Sequence, residues 1–345
     1  MANVSSNSTI IFDKIRLLEK LRSLSKHEKL VQGILDAIAD GALQVNDALP
    51  TVNTMIAELG YARETIIKAY RELIERGVIA SQNRKGYFVV STNTSQKQKI
   101  ALIMYAFDAF QEALYQSFIE HVGADMQVDL YFHHNNPDVF EAVFNRIAGH
   151  YGLYIVAPII NDHTDEILAQ LSPSKLLLID RYVDLGSEHS YIVQEFEDSS
   201  YKIFKELEAG FKKYDELIFF FREHTAEPEE ILRSFRKFIS ESGIEGSVET
   251  HFRPGSIQKG KAYFSIHNPE LYAILKESMD KGLQPGEEIG VLAHNDDIVK
   301  EIIAGGITTF SVDFREIGRL AAQFAIDRQK IQITLPTLLH QRKSL

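Results

Sequence analysis

Three donor side chains are spaced along one predicted helix as a DNA-contacting surface requires. Arg63 can donate two hydrogen bonds to a guanine edge, Thr65 can reach a phosphate or a base, and Lys68 lies one turn further on. Base edges present acceptors and phosphates carry negative charge, so these residue types at a helix start predict contact with double-stranded DNA.

A second cationic group lies in the polar turn between two short predicted strands. Arg84 and Lys85 are followed by Gly86, which allows the backbone to approach closely, so the turn suits phosphates or the minor groove. Any one of these charges is more often a solvated surface group. The DNA-binding interpretation therefore depends on the elements that carry them together.

Those elements are a helix, a tight turn, a second helix and a two-stranded wing. Thr51 is a suitable N-cap for a short helix that Gly60 ends, and the second helix begins near Arg63. Its apolar residues have the spacing of one buried helical face: Ile66, Tyr70, Leu73 and Ile74. Residues 78–81 and 87–90 then predict the two strands of the wing.

This region resembles the winged helix–turn–helix of GntR-type bacterial regulators, in the stretch LPTVNTMIAELGYARETIIKAYRELIERGVI. Their first helix is similar to KHEKLVQGILDAIADGAL just before it, so the resemblance covers residues 26–90. The resemblance assigns DNA contacts to Thr51, Arg63, Thr65, Lys68 and Gly86.

The sequence departs from the GntR pattern at three positions. Asn53 stands where the family usually has arginine, Ala62 replaces the customary serine, and Ile67 occupies another commonly basic position. DNA binding is still expected, but with an operator that differs from the family's commonest one.

From residue 100 onward, apolar runs such as IALIMYA, LYIVAPII and KLLLID alternate with amphipathic segments of helix length. This alternation predicts βαβ units and parallel sheets covered by helices, an α/β body. Ligands of such folds bind beyond the carboxyl ends of the strands, so the residues after each run are candidates. The candidate effector-binding residues are Phe107, Asp108, Phe110, His133, Arg181, Arg222, Asn295 and Asp296, with His134, Pro158, His267 and Asn268 close by.

Aromatic faces with Arg, Asp and Asn side chains suit a polyhydroxylated ligand such as a sugar. Each residue alone is about as readily an ordinary polar loop group. For the pair His133 and His134 the ordinary interpretation is stronger, because no third ligand accompanies them and no metal is expected. A Gly255–Lys261 match to G-x4-G-K lacks the following Ser/Thr, so it does not predict a phosphate loop.

The body also resembles the core of LacI/GalR-type regulators, which has the periplasmic-binding-protein fold, in LLLIDRYVD, ILRSFRKFISESGI, EIGVLAHNDD and ITTFSVDFREIGRLAA. By that resemblance Asn295 takes the position of a ligand-binding aspartate, and Arg181 follows the fourth strand. Ile231 stands where the family often has a key arginine, which leaves Arg222 or Arg233 as replacements. The segment 248–261 is too short for the helix that the family has there.

Charge is distributed unevenly. The net charge is −11, yet residues 1–90 carry 12 Lys and Arg against 10 Asp and Glu, whereas the remainder carries 25 against 38. The acidic body should repel phosphate and leave the N-terminal region as the nucleic-acid surface. The absence of cysteine excludes disulfides and thiolate chemistry, and no secretory signal or membrane span is evident, so we expect a cytoplasmic protein.

The sequence thus predicts a winged helix–turn–helix domain at 1–90 with a disordered tail at 1–9, a linker at 91–99, and a two-lobed effector domain at 100–345. The function that this indicates is a dimeric regulator that binds a palindromic operator and a monosaccharide or derivative, without cofactor and without catalysis. Two alternatives stay open. One is an aminotransferase-like enzyme using pyridoxal phosphate, although the body is short for it; the other is a stand-alone solute receptor, which would need export.

Overall fold

The N-terminal region of the computed structural model is helical with a short β-hairpin. The structure describes residues 2–82, 85–92, 99–124, 126–223 and 225–345, without the side chains of residues 2–7 and 75. The elements of this region are α1 (Ala2–Leu18), α2 (Lys26–Ala39), α3 (Val52–Leu59), α4 (Arg63–Glu75), β1 (Ile79–Gln82) and β2 (Gly86–Val89). The two strands pair antiparallel, from Ile79 opposite Val89 to Gln82 opposite Gly86.

Local signals account for where these helices begin and end. Ser25 and Glu28 form a capping box at the start of α2, and Gly60 ends α3 in the left-handed conformation, with φ +64°. Ile66, Tyr70 and Leu73 of α4 are fully buried, whereas Ile74 is 38% exposed, so the predicted stripe is wrong at that position. Ala69 is buried instead.

Helix α1 corrects the expectation of a disordered tail, because the chain is helical from Ala2. Ile11 and Ile15 are fully buried against α2, and a Cβ on Gly33 would lie 2.6 Å from Ile15, so the two helices approach very closely there. Burial of this apolar face fixes the helix, and the polar residues before it continue the same hydrogen-bonded turns. Met1 lies outside the described residues.

Most of the chain forms two lobes. Their elements, in chain order, are β3 (Lys99–Met104), α5 (Ala109–Val122), β4 (Gln127–Phe132), α6 (Pro137–Ile147), β5 (Leu153–Val156), α7 (Thr164–Leu168), β6 (Leu176–Asp180), β7 (Ser190–Gln194), α8 (Glu197–Glu206), α9 (Glu208–Phe211), β8 (Glu216–Phe220), α10 (Glu229–Ser242), β9 (Gly246–Glu249), β10 (Lys261–Ser265), α11 (Asn268–Asp280), β11 (Gly290–His294), α12 (Ile298–Ile302), β12 (Thr308–Val312), α13 (Phe314–Asp327), β13 (Gln332–Leu335) and β14 (Thr337–His340). Short 3₁₀ turns lie at Pro173–Lys175 and Ile303–Gly305.

Each lobe is built on a six-stranded sheet. The first lobe has the order β13-β7-β6-β5-β3-β4 with every strand parallel, and the second has β14-β12-β11-β10-β8-β9 with only β14 antiparallel. The chain passes between the lobes three times: after β7, after β12 and between β13 and β14. The prediction of an α/β body with two parallel-sheet lobes behind a winged helix–turn–helix is confirmed.

Buried strands and helices supply a core for each lobe. In the first lobe α13 packs on α5, where a Cβ on Gly318 would lie 2.2 Å from the carbonyl oxygen of Leu114, so the two helices nearly touch. In the second lobe the rings of Phe204, Phe235 and Phe264 pack together. No helix lies between β9 and β10, as the short segment 248–261 predicted.

The segment between α1 and α2 packs its two leucines on the first lobe, while Glu19 accepts hydrogen bonds from Tyr61 and Lys29 of the helix–turn–helix region. Leu21 and Leu24 are buried among residues of α6 and β5, and the Ser23 hydroxyl donates to the carbonyl of Ala148 at 2.5 Å. Residues 93–98, most of the predicted linker, lie outside the described part, and Lys99 already belongs to β3. In the part of the chain that the structure describes, no helix combines the length and the apolar character of a bilayer span.

Candidate DNA-binding face and ligand cleft

The start of α4 is presented by the turn that precedes it. Thr51 caps α3 by accepting a hydrogen bond from the backbone N–H of Thr54 at 3.1 Å, and the Tyr70 hydroxyl of α4 donates to the carbonyl of Pro50 at 2.6 Å. These contacts fix the angle between the two helices. Ala62, the N-cap of α4, makes no side-chain cap, so the first N–H groups of α4 are left for an outside acceptor such as a phosphate oxygen.

Arg63 is exposed at the first position of α4, and its Nη1 donates to Oδ1 of Asn53 at 3.0 Å. Asn53 is one of the departures noted in the sequence, and the structure gives it a role there: it orients the arginine. Lys68 is exposed on the same helix, and Thr65 is half-buried within its first turn.

The wing carries the remaining predicted contacts. Lys85 is exposed in the turn, and Gly86 opens β2 with φ +104°, a conformation that side chains other than glycine rarely adopt. Arg84 lies outside the described residues. The predicted DNA contacts that the structure describes therefore lie at the N-cap of α3, on α4 and on the wing, and their role in binding DNA stays a prediction.

A cleft of about 360 Å³ lies between the lobes, at the carboxyl ends of strands from both sheets. That volume is at the lower end of the range of small-molecule sites, about 300–1,000 Å³. Six of the predicted effector residues line it: Asp108, Phe110, His133, Arg181, Arg222 and Asn295. Pro158, His267 and Asn268 line it as well.

Two predicted residues do not line the cleft. Phe107 packs its ring on Tyr115 and Phe132, at centroid distances of 5.9 and 6.0 Å. Asp296 accepts from Arg342 Nη1 and Nη2 at 2.7 and 2.9 Å. Burial alone would raise the pKa of Asp296, but these hydrogen bonds lower it below its ordinary value. Asp296 thus fastens the chain after β14 to the end of β11, which the spacing of side chains along the sequence did not reveal.

Arg233, one of the two replacements considered for the family's arginine, also lies elsewhere. Its guanidinium pairs with Glu197 on α8 at 2.7 and 2.9 Å, while Ile231 is fully buried. Arg222 is the one of the two that reaches the cleft.

His133 lines the cleft with both ring nitrogens engaged. Nδ1 accepts from the backbone N–H of Asn135 at 3.2 Å, so Nε2 carries the proton and donates to the carbonyl of Ala157 at 3.0 Å. Burial lowers the pKa of His133 to about 4, so the ring is neutral near pH 7. Its role is to hold the loop after β4.

Arg181 connects the two lobes across the cleft. It follows β6 of the first lobe, and its Nη1 donates to the carbonyl of Ala226 in the second lobe at 3.2 Å. Nη2 lies 3.9 Å from Oε2 of Glu230, at the start of α10, and the guanidinium stacks 5.0 Å from the ring centroid of Phe196. Any change in the distance between the lobes would change these contacts.

Arg222 is held by a neighbour in its own loop. Its Nε donates to Oε1 of Glu227 at 2.6 Å and its backbone N–H donates to Oε2 at 2.8 Å. Burial raises the pKa of Glu227 even though Arg222 acts in the opposite direction. The Nη groups of Arg222 are not used in this pair.

Sequence reasoning missed several cleft residues: Asp180, Gln194, Phe196, Glu227, His294 and Lys300. Asp180 is the last residue of β6, with φ +66°, and it accepts a hydrogen bond from Gln194. Burial raises the pKa of its carboxyl. Asp180 belongs to the apolar run LLLID, and the prediction covered only the residues that follow each run. The last residue of a strand, however, also presents its side chain at the sheet edge.

The end of β11 presents unpaired polar atoms. Oδ1 of Asn295 and Nδ1 of His294 are buried, and no described residue pairs with either. Lys300 is almost completely buried, and its Nζ donates to the carbonyls of His294 and Asn295 at 3.1 and 2.8 Å, which fixes this loop with Asn295 at φ +59°. Burial, with the nearby Lys300 and Arg181 charges, lowers the pKa of His294 to about 3, so its ring is neutral.

Among the residues that the structure describes, no three His, Cys, Asp or Glu side chains are grouped so that they could hold a metal ion. The arrangement is that of a winged helix–turn–helix joined to a two-lobed α/β body with a cleft between the lobes, which is the class of protein that the fold defines.

Comparison with known proteins agrees with this class. Residues 26–89 match the bacterial regulatory proteins of the gntR family, which confirms the predicted GntR-type domain there. The HTH-type transcriptional regulator Rv1152 of Mycobacterium tuberculosis is 34% identical over 62 residues, 18% of this chain and 51% of that protein. The Mannosyl-D-glycerate transport/metabolism system repressor MngR of Escherichia coli is 26% identical over 117 residues, 34% of this chain and 41% of that protein. The chain thus spans about half the length of the first relative and less of the second.

The body matches solved structures in its fold. A periplasmic binding protein/LacI transcriptional regulator from Alkaliphilus metalliredigens, complexed with D-xylulofuranose, superimposes with a TM-score of 0.57. The sequences are 10% identical, and the match covers 72% of this chain and 98% of that one. The predicted LacI-type fold of the body is therefore confirmed.

Proposed function

We propose that this protein is a DNA-binding transcription regulator controlled by a small polyhydroxylated effector. One observation carries the proposal: a winged helix–turn–helix with an exposed Arg63 at the start of α4 shares a chain with a two-lobed body whose cleft has unpaired polar atoms. The winged helix–turn–helix suits contact with a DNA groove, and the cleft of the two-lobed body suits a small molecule.

The DNA-contacting residues in this proposal are Thr51, Arg63, Thr65, Lys68, Arg84, Lys85 and Gly86. The exposed N–H groups at the start of α4 suit a phosphate, and Arg63, held by Asn53, suits a base edge. We expect DNA affinity to fall steeply as the salt concentration rises, because the body is acidic and binding relies on these cations.

The effector in this proposal is a monosaccharide or a derivative. Asp108, Asp180 and Asn295 provide acceptors, Asn268 and the free Nη groups of Arg222 provide donors, and Phe110 and Phe196 provide aromatic faces for C–H surfaces. The D-xylulofuranose with which the LacI-type structure is complexed supports the same class of ligand.

Control would pass through lobe closure in a homodimer on a palindromic site, in the cytoplasm. Arg181 contacts the opposite lobe, so a ligand that favours one lobe spacing shifts the population of that state. Such a ligand changes DNA affinity only by its differential affinity for the two states, typically about 1–3 kcal/mol. An enzyme that uses pyridoxal phosphate fits less well, because Lys300 in the cleft is occupied by two carbonyls and lies 3.5 Å from Asp297.

The test is DNA binding by the full chain. Fluorescence anisotropy with duplex fragments from the chain's own promoter region, at low salt, should show binding that one sugar of a panel changes several-fold. A chain that binds no fragment, with or without sugars, would refute the regulator proposal. Analytical ultracentrifugation of the complex should give two chains for each duplex.

A further inference from the structure

Each arginine that lines the cleft is already paired with a carboxylate. Arg222 donates twice to Glu227, whose side chain is buried while that of Arg222 is 30% exposed. Arg181 lies beside Glu230 while donating to the carbonyl of Ala226. Their donors remain partly free, but their charges are balanced from within the protein. Neither arginine offers an uncompensated positive charge to a ligand.

The other basic groups along the described cleft are also occupied or neutral. Lys300 is buried, donates to two carbonyls and lies 3.5 Å from Asp297. His267 is paired with Glu270, and the rings of His133 and His294 carry no charge near pH 7. The starts of α5, α10 and α11 border the cleft, but each helix carries an acidic residue in its first turn: Glu112, Glu230 and Glu270. A site for a phosphate or a carboxylate would present free cations or a helix start without such an acid.

The unpaired groups of the cleft are acceptors. Lys300 attracts the carboxylate of Asp108, but no described residue donates a hydrogen bond to it, and Gln194 donates to Oδ1 of Asp180 and not to Oδ2. The buried Oδ1 of Asn295 adds an unpaired acceptor in the second lobe. Acceptors on both lobes require a ligand that donates hydrogen bonds at both ends.

We infer that the cleft selects an uncharged or amine-bearing polyol and discriminates against the phosphorylated or carboxylated form of the same sugar. The inference rests on the proposed effector function and names the charge class of the ligand. An anionic group placed near Asp108 meets like charge. The free Nη groups of Arg222 can still donate to an anion, but Glu227 already balances the charge of Arg222 and Glu230 lies beside Arg181, so either arginine attracts an anion less than an unpaired one would.

The experiment uses matched ligands that differ in charge alone. Neutral hexoses and pentoses, each with its phosphate, its uronic acid and its 2-amino derivative, are screened by thermal shift and then titrated by calorimetry against the full chain. We expect a neutral or amino sugar to bind about tenfold or more tightly than its anionic counterpart, which is about 1.4 kcal/mol. Tighter binding of a phosphate or uronic acid than of its neutral parent overturns the inference and leaves the proposed function intact. A panel in which nothing binds refutes the proposed monosaccharide effector, and the inference with it.

Variants separate the charge effect from the shape of the cleft. Glu227→Gln keeps an acceptor for Arg222 but removes the negative charge that balances the arginine. This variant should therefore discriminate about tenfold less against the anionic sugar. The control is Glu208→Gln, which removes one negative charge from a surface ion pair with Lys205 and Lys212, far from the cleft. Unchanged discrimination in Glu227→Gln, or an equal change in Glu208→Gln, would contradict the role given to the pair of Arg222 and Glu227.

Discussion

Lys175 binds both carboxylate oxygens of Asp36, at 2.6 and 2.7 Å, and so joins the first lobe to helix α2 of the DNA-reading region. Both side chains are largely shielded, with 20% and 14% of their surface exposed. Gln32 also donates to Asp36 at 2.6 Å, which holds the carboxylate in position. Together with Leu21 and Leu24, this ion pair makes the junction a packed interface. The DNA-reading region is therefore docked on the lobe in addition to being joined through the chain that leads to β3.

Replacement of Lys175 by alanine should weaken this docking, because it leaves Asp36 shielded without its cation. We expect a loss of about 1–2 kcal/mol, since a hydrogen bond to a charged group contributes about that much. Calorimetry should show the unfolding of the N-terminal region separating from that of the body. The double variant with Asp36→Lys and Lys175→Asp should restore a single transition; if Lys175→Ala alone leaves the thermogram unchanged, the ion pair does not stabilise the junction.

Leu24→Ala tests the apolar part of the same junction. Leu24 is buried on the first lobe, where a Cβ on Gly149 would lie 2.3 Å from it, so its removal leaves a cavity. We expect destabilisation of about 2–4 kcal/mol, the usual cost of a buried leucine-to-alanine change. The matched control is Leu17→Ala, at a side chain that is 60% exposed. Equal midpoints in urea unfolding for the two variants would show that Leu24 contributes nothing at the junction.

Arg63→Ala should weaken operator binding by about 1–3 kcal/mol without changing effector affinity, because Arg63 is a base-edge candidate remote from the cleft. Anisotropy titrations at one salt concentration measure the first quantity and calorimetry the second. Arg236→Ala removes the same charge from α10 of the body and should leave DNA affinity unchanged. Arg63→Ala that binds DNA as tightly as the wild type would remove Arg63 from the interface.

Asn53→Ala should broaden the operator preference, since it frees the Arg63 guanidinium from its contact at 3.0 Å. The expected loss of affinity is smaller than for Arg63→Ala, because the arginine itself remains. A panel of single-base operator changes measures the preference. An unchanged preference with unchanged affinity would mean that Asn53 does not orient Arg63 on DNA.

The fold could be predicted from the sequence because each pattern that indicates it lies within a short stretch of the chain. Alternating apolar runs predicted the parallel strands, and the spacing from Thr51 to Gly60 and on to Arg63 predicted the two helices of the DNA-reading module. Side-chain pairs that join distant parts of the chain carry no such signal. The contacts of Arg181 with Ala226, of Arg342 with Asp296 and of Lys175 with Asp36 exist only once the lobes are folded.

For the same reason, only part of the cleft was predictable. Residues after each strand, such as Arg222 and Asn295, were found by position alone, whereas Asp180 was hidden as the last residue of an apolar run. The prediction that Phe107 lines the cleft was wrong, because an aromatic residue in this loop can pack on Tyr115 as readily as it can face the cleft.

Asn295→Ala should lower effector affinity about fivefold, because it removes an acceptor that no described residue pairs with, and one hydrogen bond contributes about 1 kcal/mol. DNA affinity without effector should not change. Calorimetry with the sugar that gives the largest thermal shift measures the effect. Identical dissociation constants for the variant and the wild type would exclude Asn295 from the binding site.

Acid should destabilise the protein through two buried histidines. The pKa of His294 falls to about 3 and that of His133 to about 4 in the folded chain, against 6.5 for an ordinary histidine. Below pH 6.5 the unfolded chain therefore binds protons that the folded chain does not, so stability is complete above that pH and falls as the pH drops towards 4. Each histidine contributes a slope of up to about 1.4 kcal/mol per pH unit.

Chemical denaturation between pH 7 and 4 should show a shallower fall in the free energy of unfolding for His294→Gln than for the wild type. His163→Gln, at an exposed histidine, should follow the wild type. Parallel curves for His294→Gln and the wild type would show that His294 is protonated in the folded protein.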